Sequence, residues 1–278
     1  MPIDEWSQER ADGQLTGRLE RRHFVHFYGT DDETLARNVA LFLADGLVRG
    51  DGLLVISSSA HADLIRRRLE RPAAHARSAT AADFVFLPAR ETLERITVRG
   101  QPDWALFESL LLCAVRAAQG EEPYRKVRVF GETVGLLWSE GRLSAAARLE
   151  SFWNRLLVAQ RLELYCAYPI DIFSGEFQLG PIDGVLCGHT HVVPTLAHGS
   201  LEEVLERGLR DVLGPRAVAV CKVMNEDFRP AWATLPPGEA KILWLRNHLP
   251  EQAERVLSRA RWYYDQACAS AHTLMPTS

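Results

Sequence analysis

Six short apolar runs, each followed by an amphipathic stretch, limit this chain more than any other feature. The runs cover residues 23–28, 53–57, 84–87, 127–130, 162–167 and 185–193. Helical patterns fill the gaps at 31–49, 61–71, 89–98, 103–119, 132–140 and 143–160. Runs that are apolar on both faces and separated by helices imply a mainly parallel sheet covered on both sides. The expected fold is therefore a three-layer α/β domain. After Pro194 the pattern predicts a helix near 201–213, strands near 217–223 and 240–246, and a helix near 250–269. Between those strands "NEDFRPAWATLPPGEA" reads as a surface connection. The expected organisation is a flexible segment over 1–19, a main domain over 20–195, and an α/β extension over 196–278 packing on the same domain.

Composition supports a buried core and excludes several function classes. Apolar residues make up 47% and charged residues 24% of 278, the balance of a soluble globular protein. The net charge is −4 and the longest basic block is "RRR" at Arg66–Arg68, so direct nucleic-acid binding is not expected. The basic stretch 63–71 reads as a solvated helix face. The polar start "MPIDEWSQERADGQ" lacks a secretory signal pattern. The most apolar helix, 104–118, is too short to span a bilayer and contains Glu108 and Arg116. Five cysteines without a CxxC point to buried thiols in a reducing cytoplasm. A cytoplasmic protein without membrane contact is expected.

The first strand–turn–helix, "HFYGTDDETLARNVALFLADGLVRGDGLLVISS", has the layout of a phosphate-binding unit with the wrong residues. A P-loop would read GxxxxGK[ST]; here the turn reads Gly29-Thr30-Asp31-Asp32-Glu33-Thr34. Thr30 and Glu33 have the spacing of a capping box, and the acids complement the helix dipole. The lysine that would meet phosphate is missing. Each carboxylate within roughly 4 Å of a phosphate would cost on the order of 1–4 kcal/mol. ATP hydrolysis at this turn is not expected.

The order of "HFVHFYGTDDETLARNVALFLADGLVRGDGLLVISSSAH", "RVFGETVGLLWSEGRLSAAARLESFWNRLL" and "LYCAYP", across about residues 20–175, resembles the MEDS family. That sensory domain is named after methanogens, methylotrophs and the dichloromethane-responsive repressor DcmR. The resemblance implies a fold similar to the RecA/KaiC ATPases with a degenerate P-loop. It also implies sensing of a small molecule, often a hydrocarbon derivative, and output through a transcription factor, histidine kinase or anti-sigma partner. Arg142 departs from the asparagine that members often carry after "EG". No helix-turn-helix or kinase segment is found in this chain, so a sensor of this kind would act through another protein.

Candidate ligand-binding residues cluster around the carboxyl ends of the strands, where open α/β sheets bind ligands. Gly29, Thr30 and Asp31 form the turn. His26 and Tyr28 share one face of the first strand, and His23 lies on the opposite face. His26 reads either as the rim of a pocket or as a hydrogen-bonded strand histidine. Glu132 ends "VFGE" and reads either as a pocket carboxylate or as a first-turn acid. Trp138 and Trp153 read as core or as pocket walls, with Asn154 as a polar orienting group and Tyr168 of "CAYP" completing the set.

"LCGHTHVVP" carries a competing signal. Cys187, His189 and His191 would share one face of a strand, with neighbours about 6.7 Å apart. His189 and His191 could then hold zinc, with His198 or Asp183 as a further ligand. Structural histidines are the alternative. No cofactor other than such a zinc is expected, and no GxSxG nucleophile motif occurs. The sequence thus points to a sensory or regulatory module that binds a small molecule and signals through a protein partner without ATP hydrolysis. A zinc- or nucleotide-dependent enzyme and a ligand-free scaffold are the competing readings. A homo-oligomer is compatible with all three.

Overall fold

The computed structural model describes residues 22–75, 84–195, 200–227 and 235–273. The segment 1–19 and His198 lie outside the described residues. The first part of the chain runs β1 (Arg22–Phe27), α1 (Asp32–Arg49), β2 (Gly52–Ser57), α2 (Ser59–His75), β3 (Phe84–Pro88) and α3 (Ala89–Arg95). A two-strand ribbon, β4 (Thr97–Val98) and β5 (Gln101–Pro102), leads to α4 (Trp104–Gln119). Then come β6 (Val127–Gly131), α5 (Thr133–Ser139), α6 (Leu143–Ala159), β7 (Leu162–Tyr168), α7 (Asp183–Gly188) and β8 (His191–Val193). The described C-terminal elements are α8 (Ser200–Leu213), α9 (Ala217–Asp227), α10 (Pro237–His248) and α11 (Pro250–Thr273).

Six strands form one sheet in the order β3-β2-β6-β7-β1-β8, and every neighbouring pair is parallel. Side-chain alternation divides the core. Val25, Phe27, Leu54, Ile56, Val129, Leu164 and Tyr168 pack towards α3–α6. Leu53, Val55, Phe130, Tyr165 and Ala167 pack towards α1 and α2. All residues of β2, β6 and β7 are buried, as expected for strands covered on both faces. The three-layer α/β fold read from the sequence is present. Among the described residues no helix is long and apolar enough to cross a membrane.

Three expected strands are not strands throughout. The run 185–193 opens as helix α7, because Ile182, Val185 and Leu186 are buried at helical spacing; only His191–Val193 joins the sheet. The run 217–223 belongs to α9, whose inward residues Ala217, Val220, Cys221 and Met224 follow an i, i+3, i+4, i+7 pattern. The run 240–246 belongs to α10, where Gly238 to Leu245 are all buried. A helix buried on all sides loses its 3.6-residue signature and cannot be told from a strand by periodicity. The described part of 196–278 is therefore helical rather than α/β. Its helix α11 buries Ala253, Val256, Leu257 and Ala260 in the same core as the sheet, so that stripe docks on its own chain. Each large apolar side chain so buried contributes about 1.5–3 kcal/mol.

Candidate functional site

The β1–α1 connection is a tight turn. Asp31 N–H donates to the Tyr28 carbonyl at 3.0 Å, while Tyr28 N–H and Gly29 N–H donate to the carbonyls of Tyr168 and Ile170, each at 3.1 Å. Gly29 has φ +59°, and a Cβ there would lie 3.3 Å from the Cα of Asp171, so this position favours glycine. The cap differs from the expected box. Asp31, not Thr30, caps α1 and accepts from Thr34 N–H at 2.9 Å. The turn closing at Tyr28–Asp31 delays the helix start by one residue. Glu33 is then too far round to reach back and pairs with Arg68 of α2 instead.

A cleft of about 50 Å³ opens beside this turn. Tyr28, Gly29, Thr30 and Asp31 line one side; Asp171, Phe173, Arg261 and Tyr264 line the other. Arg261 donates to Asp171 Oδ2 at 2.5 Å and lies 5.6 Å from the Phe173 ring centroid. The space suits a molecule of a few heavy atoms. The sequence reasoning missed the far wall, because Asp171 follows the last expected strand motif and Arg261 lies 90 residues beyond it.

Glu132 is buried next to the turn but does not line this cleft. Its carboxylate accepts from Ser58 N–H at 2.8 Å and from His61 Nδ1. His61 Nε2 lies 3.1 Å from Asp32 Oδ1. Burial lowers the His61 pKa, but the hydrogen bonds and charges of Glu132 and Asp32 outweigh it and raise it to about 9. His26 is fully buried and bonded to the Tyr165 hydroxyl at 2.9 Å. Burial depresses its pKa to about 3, so it is a neutral sheet histidine beneath the turn.

A second set of candidates meets on the other face of the sheet. His23 in β1, Glu150 in α6, Cys166 in β7 and His189 at the end of α7 are all buried. One donor atom from each lies within 4.8 Å of the other three. His23 Nε2 is 3.3 Å from Cys166 Sγ and 3.6 Å from Glu150 Oε2; His189 Nε2 is 3.5 Å from Glu150 Oε1. Asn154 Oδ1 lies 3.1 Å from His23 Nδ1, and the Tyr168 hydroxyl donates to Glu150 Oε1 at 2.6 Å. Burial, helped for His23 by its neighbour His189, lowers the histidine pKa values to about 3 and about 4. Burial also pushes the Glu150 carboxyl and the Cys166 thiol up.

His189 and His191 do not form the expected pair. The α7–β8 bend turns His189 inward, with its ring centroid 3.9 Å from that of His23. His191 is exposed on the opposite face, 5.0 Å from Phe24 and 2.8 Å from Thr190 Oγ1. Trp153 is core, edge-to-face with Phe107 at 5.0 Å, and Trp138 packs edge-to-face on Tyr168 at 5.6 Å. Sequence reasoning missed His23, Glu150 and Cys166. The available signal was an acid, Glu150, among the inward residues Ala146, Leu149 and Trp153 of α6.

Comparisons with curated proteins and with solved structures return no match. A family model does match residues 22–189, the span that includes the turn, every strand but β8, and the four clustered side chains. The chain belongs to the MEDS family, the MEthanogen/methylotroph, DcmR Sensory domain.

Proposed function

We propose that this chain binds a small organic molecule in the cleft beside Gly29 and signals through a regulatory protein partner without hydrolysing ATP. One observation carries this reading: the cleft is bounded by the β1–α1 turn and by Arg261 and Tyr264 of α11. A molecule there touches both the sensory domain and the C-terminal helices. Differential contact with two positions of α11 would shift their populations, which is all a ligand needs to do to send a signal. The partner, in this reading, is a transcription factor, kinase or anti-sigma factor.

Charge argues against nucleotide use. Asp31 and Asp171 line the cleft, Asp32 stands beside them, and the nearest cation, Arg261, is already paired with Asp171. Glu132, the residue an ATPase would turn towards metal and water, is held by His61 and the Ser58 amide.

Mass spectrometry of one purified sample, first native and then denatured, tests the reading together with an ATPase assay. A non-covalent small organic species, and a melting temperature raised by that compound in wild type but not in Tyr264→Ala, is the expected result. A co-purified nucleotide, or ATP turnover lost in Glu132→Ala, overturns it.

A further inference from the structure

We propose that His23, Glu150, Cys166 and His189 form a binding site for a zinc-type divalent cation, closed on all four sides by protein. Tetrahedral zinc with Zn–N and Zn–O near 2.0–2.1 Å and Zn–S near 2.3 Å needs nitrogen and oxygen donors about 3.3–3.4 Å apart and the sulfur about 3.5–3.6 Å from each of them. His23 Nε2 lies 3.3 Å from Cys166 Sγ and 3.6 Å from Glu150 Oε2, each within about 0.3 Å of those separations, while His189 Nε2 is 3.5 Å from the other oxygen of Glu150, Oε1. The remaining pairs lie within 4.8 Å, so closing the site takes small side-chain movements.

Two buried atoms are otherwise unexplained. Glu150 Oε2 and His189 Nε2 have no hydrogen-bond partner, and leaving such groups unmatched costs about 1–3 kcal/mol each. Glu150 Oε2 lies 3.6 Å from His23 Nε2, and His189 Nε2 lies 3.5 Å from Glu150 Oε1. A cation there would satisfy both and accept the lone pairs of His23 Nε2 and Cys166 Sγ.

The surroundings orient the donors as metal sites require. His189 Nδ1–H donates to the Val185 carbonyl at 2.6 Å, and His23 Nδ1–H donates to Asn154 Oδ1 at 3.1 Å. Each imidazole is thereby fixed with Nε2 as the free lone pair. Tyr168 binds the other oxygen of Glu150, leaving Oε2 for the ion. Charge also balances: one thiolate and one carboxylate neutralise a divalent cation, and two neutral imidazoles add nothing. A neutral assembly is what a fully buried position tolerates. One sulfur, two nitrogens and one oxygen suit zinc better than the all-oxygen preference of magnesium or calcium.

The site would tie β1, α6, β7 and the bend before β8 together across residues 23–189. It is separate from the cleft at Gly29, so its loss and the loss of ligand binding there are distinguishable.

The test is metal analysis of the full chain purified without chelators, with X-ray absorption at the zinc edge and cobalt substitution during refolding. One zinc per chain is expected, with one sulfur at about 2.3 Å and three nitrogen or oxygen neighbours at about 2.0–2.1 Å. The cobalt form should show a thiolate-to-metal band that Cys166→Ser removes. Asn154→Ala, which keeps all four donors, should weaken zinc in chelator competition by about 10- to 100-fold, while His191→Ala should leave it unchanged. Less than about a tenth of an equivalent of metal together with no cobalt–thiolate band, or a shell of nitrogen and oxygen alone, overturns the site. Metal lost in His191→Ala but kept in His189→Gln also overturns it.

Discussion

The carboxylate of Glu132, at the end of β6, is hydrogen-bonded to the imidazole of His61 in α2, 71 residues earlier in the chain. His61 bridges it to Asp32 at the start of α1, so one side chain links two layers beside the turn. Its folded pKa of about 9 lies above the ordinary 6.5. Folding therefore strengthens proton binding, and the stabilisation is complete below pH 6.5 and lost as pH rises through about 9. The shift sets an upper limit near 3 kcal/mol; with Asp32 half exposed, screening leaves about 1–2 kcal/mol. Urea unfolding of wild type and His61→Gln across this window should show their difference shrinking as pH rises. A constant difference would mean that His61 is not charged in the folded state.

Gly135 sits where α5 crosses β7. A Cβ there would lie 2.4 Å from the Ala167 carbonyl oxygen, and backbone cannot yield as a flexible side chain can. Gly135→Ala should cost at least about 1–3 kcal/mol, lowering Tm by roughly 2–4 °C per kcal/mol in a chain of this size. Gly175→Ala, with open space around it, should leave Tm within about 1 °C on the same scale. Equal melting of the two variants would show that α5 can shift away from the sheet.

The sheet was legible because five strands are short apolar runs bounded by turns. The C-terminal helices were not, since α10 is buried all round and α9 places β-branched residues at alternating positions. The cleft was half legible: Tyr28–Asp31 announce themselves, whereas Asp171 and Arg261 are joined only by the fold. His23 and Cys166 each read as ordinary strand residues. Only the parallel pairing of β1 with β7 puts them 3.3 Å apart.

Arg128 in β6 is almost fully buried and holds three acids: Asp51 at 3.0 Å, Glu163 at 3.4 Å, and Asp45. It also donates to the Phe42 carbonyl at 2.7 Å. Arg128→Met should be strongly destabilising because it leaves Asp51 and Glu163 buried. Removing one partner of a buried pair costs about 3–5 kcal/mol. Lys126, 3.3 Å from Asp51 and 3.0 Å from Glu163, partly replaces the charge, so the low end is expected. Adding Asp51→Asn should recover part of the loss, measurable as a coupling of about 0.5–3 kcal/mol in a double-mutant cycle. Strict additivity would show that the two side chains act independently.

The Asp171–Arg261 pair separates stability from response. Its partners are 36% and 39% exposed, so the bond contributes about 1 kcal/mol or less to folding. It is, however, where the segment after β7 meets α11 at the edge of the cleft. Arg261→Ala should therefore change Tm by only a few degrees, roughly what 1 kcal/mol produces at this size. The same variant should lose the ligand-induced rise in Tm and exchange α11 amides faster than wild type near residue 261. If instead the ligand-induced rise survives unchanged, the cleft does not communicate with α11 through this pair. A fall in Tm of more than about 8 °C, beyond any screened surface pair at that conversion, would show that Arg261 holds the helix in place.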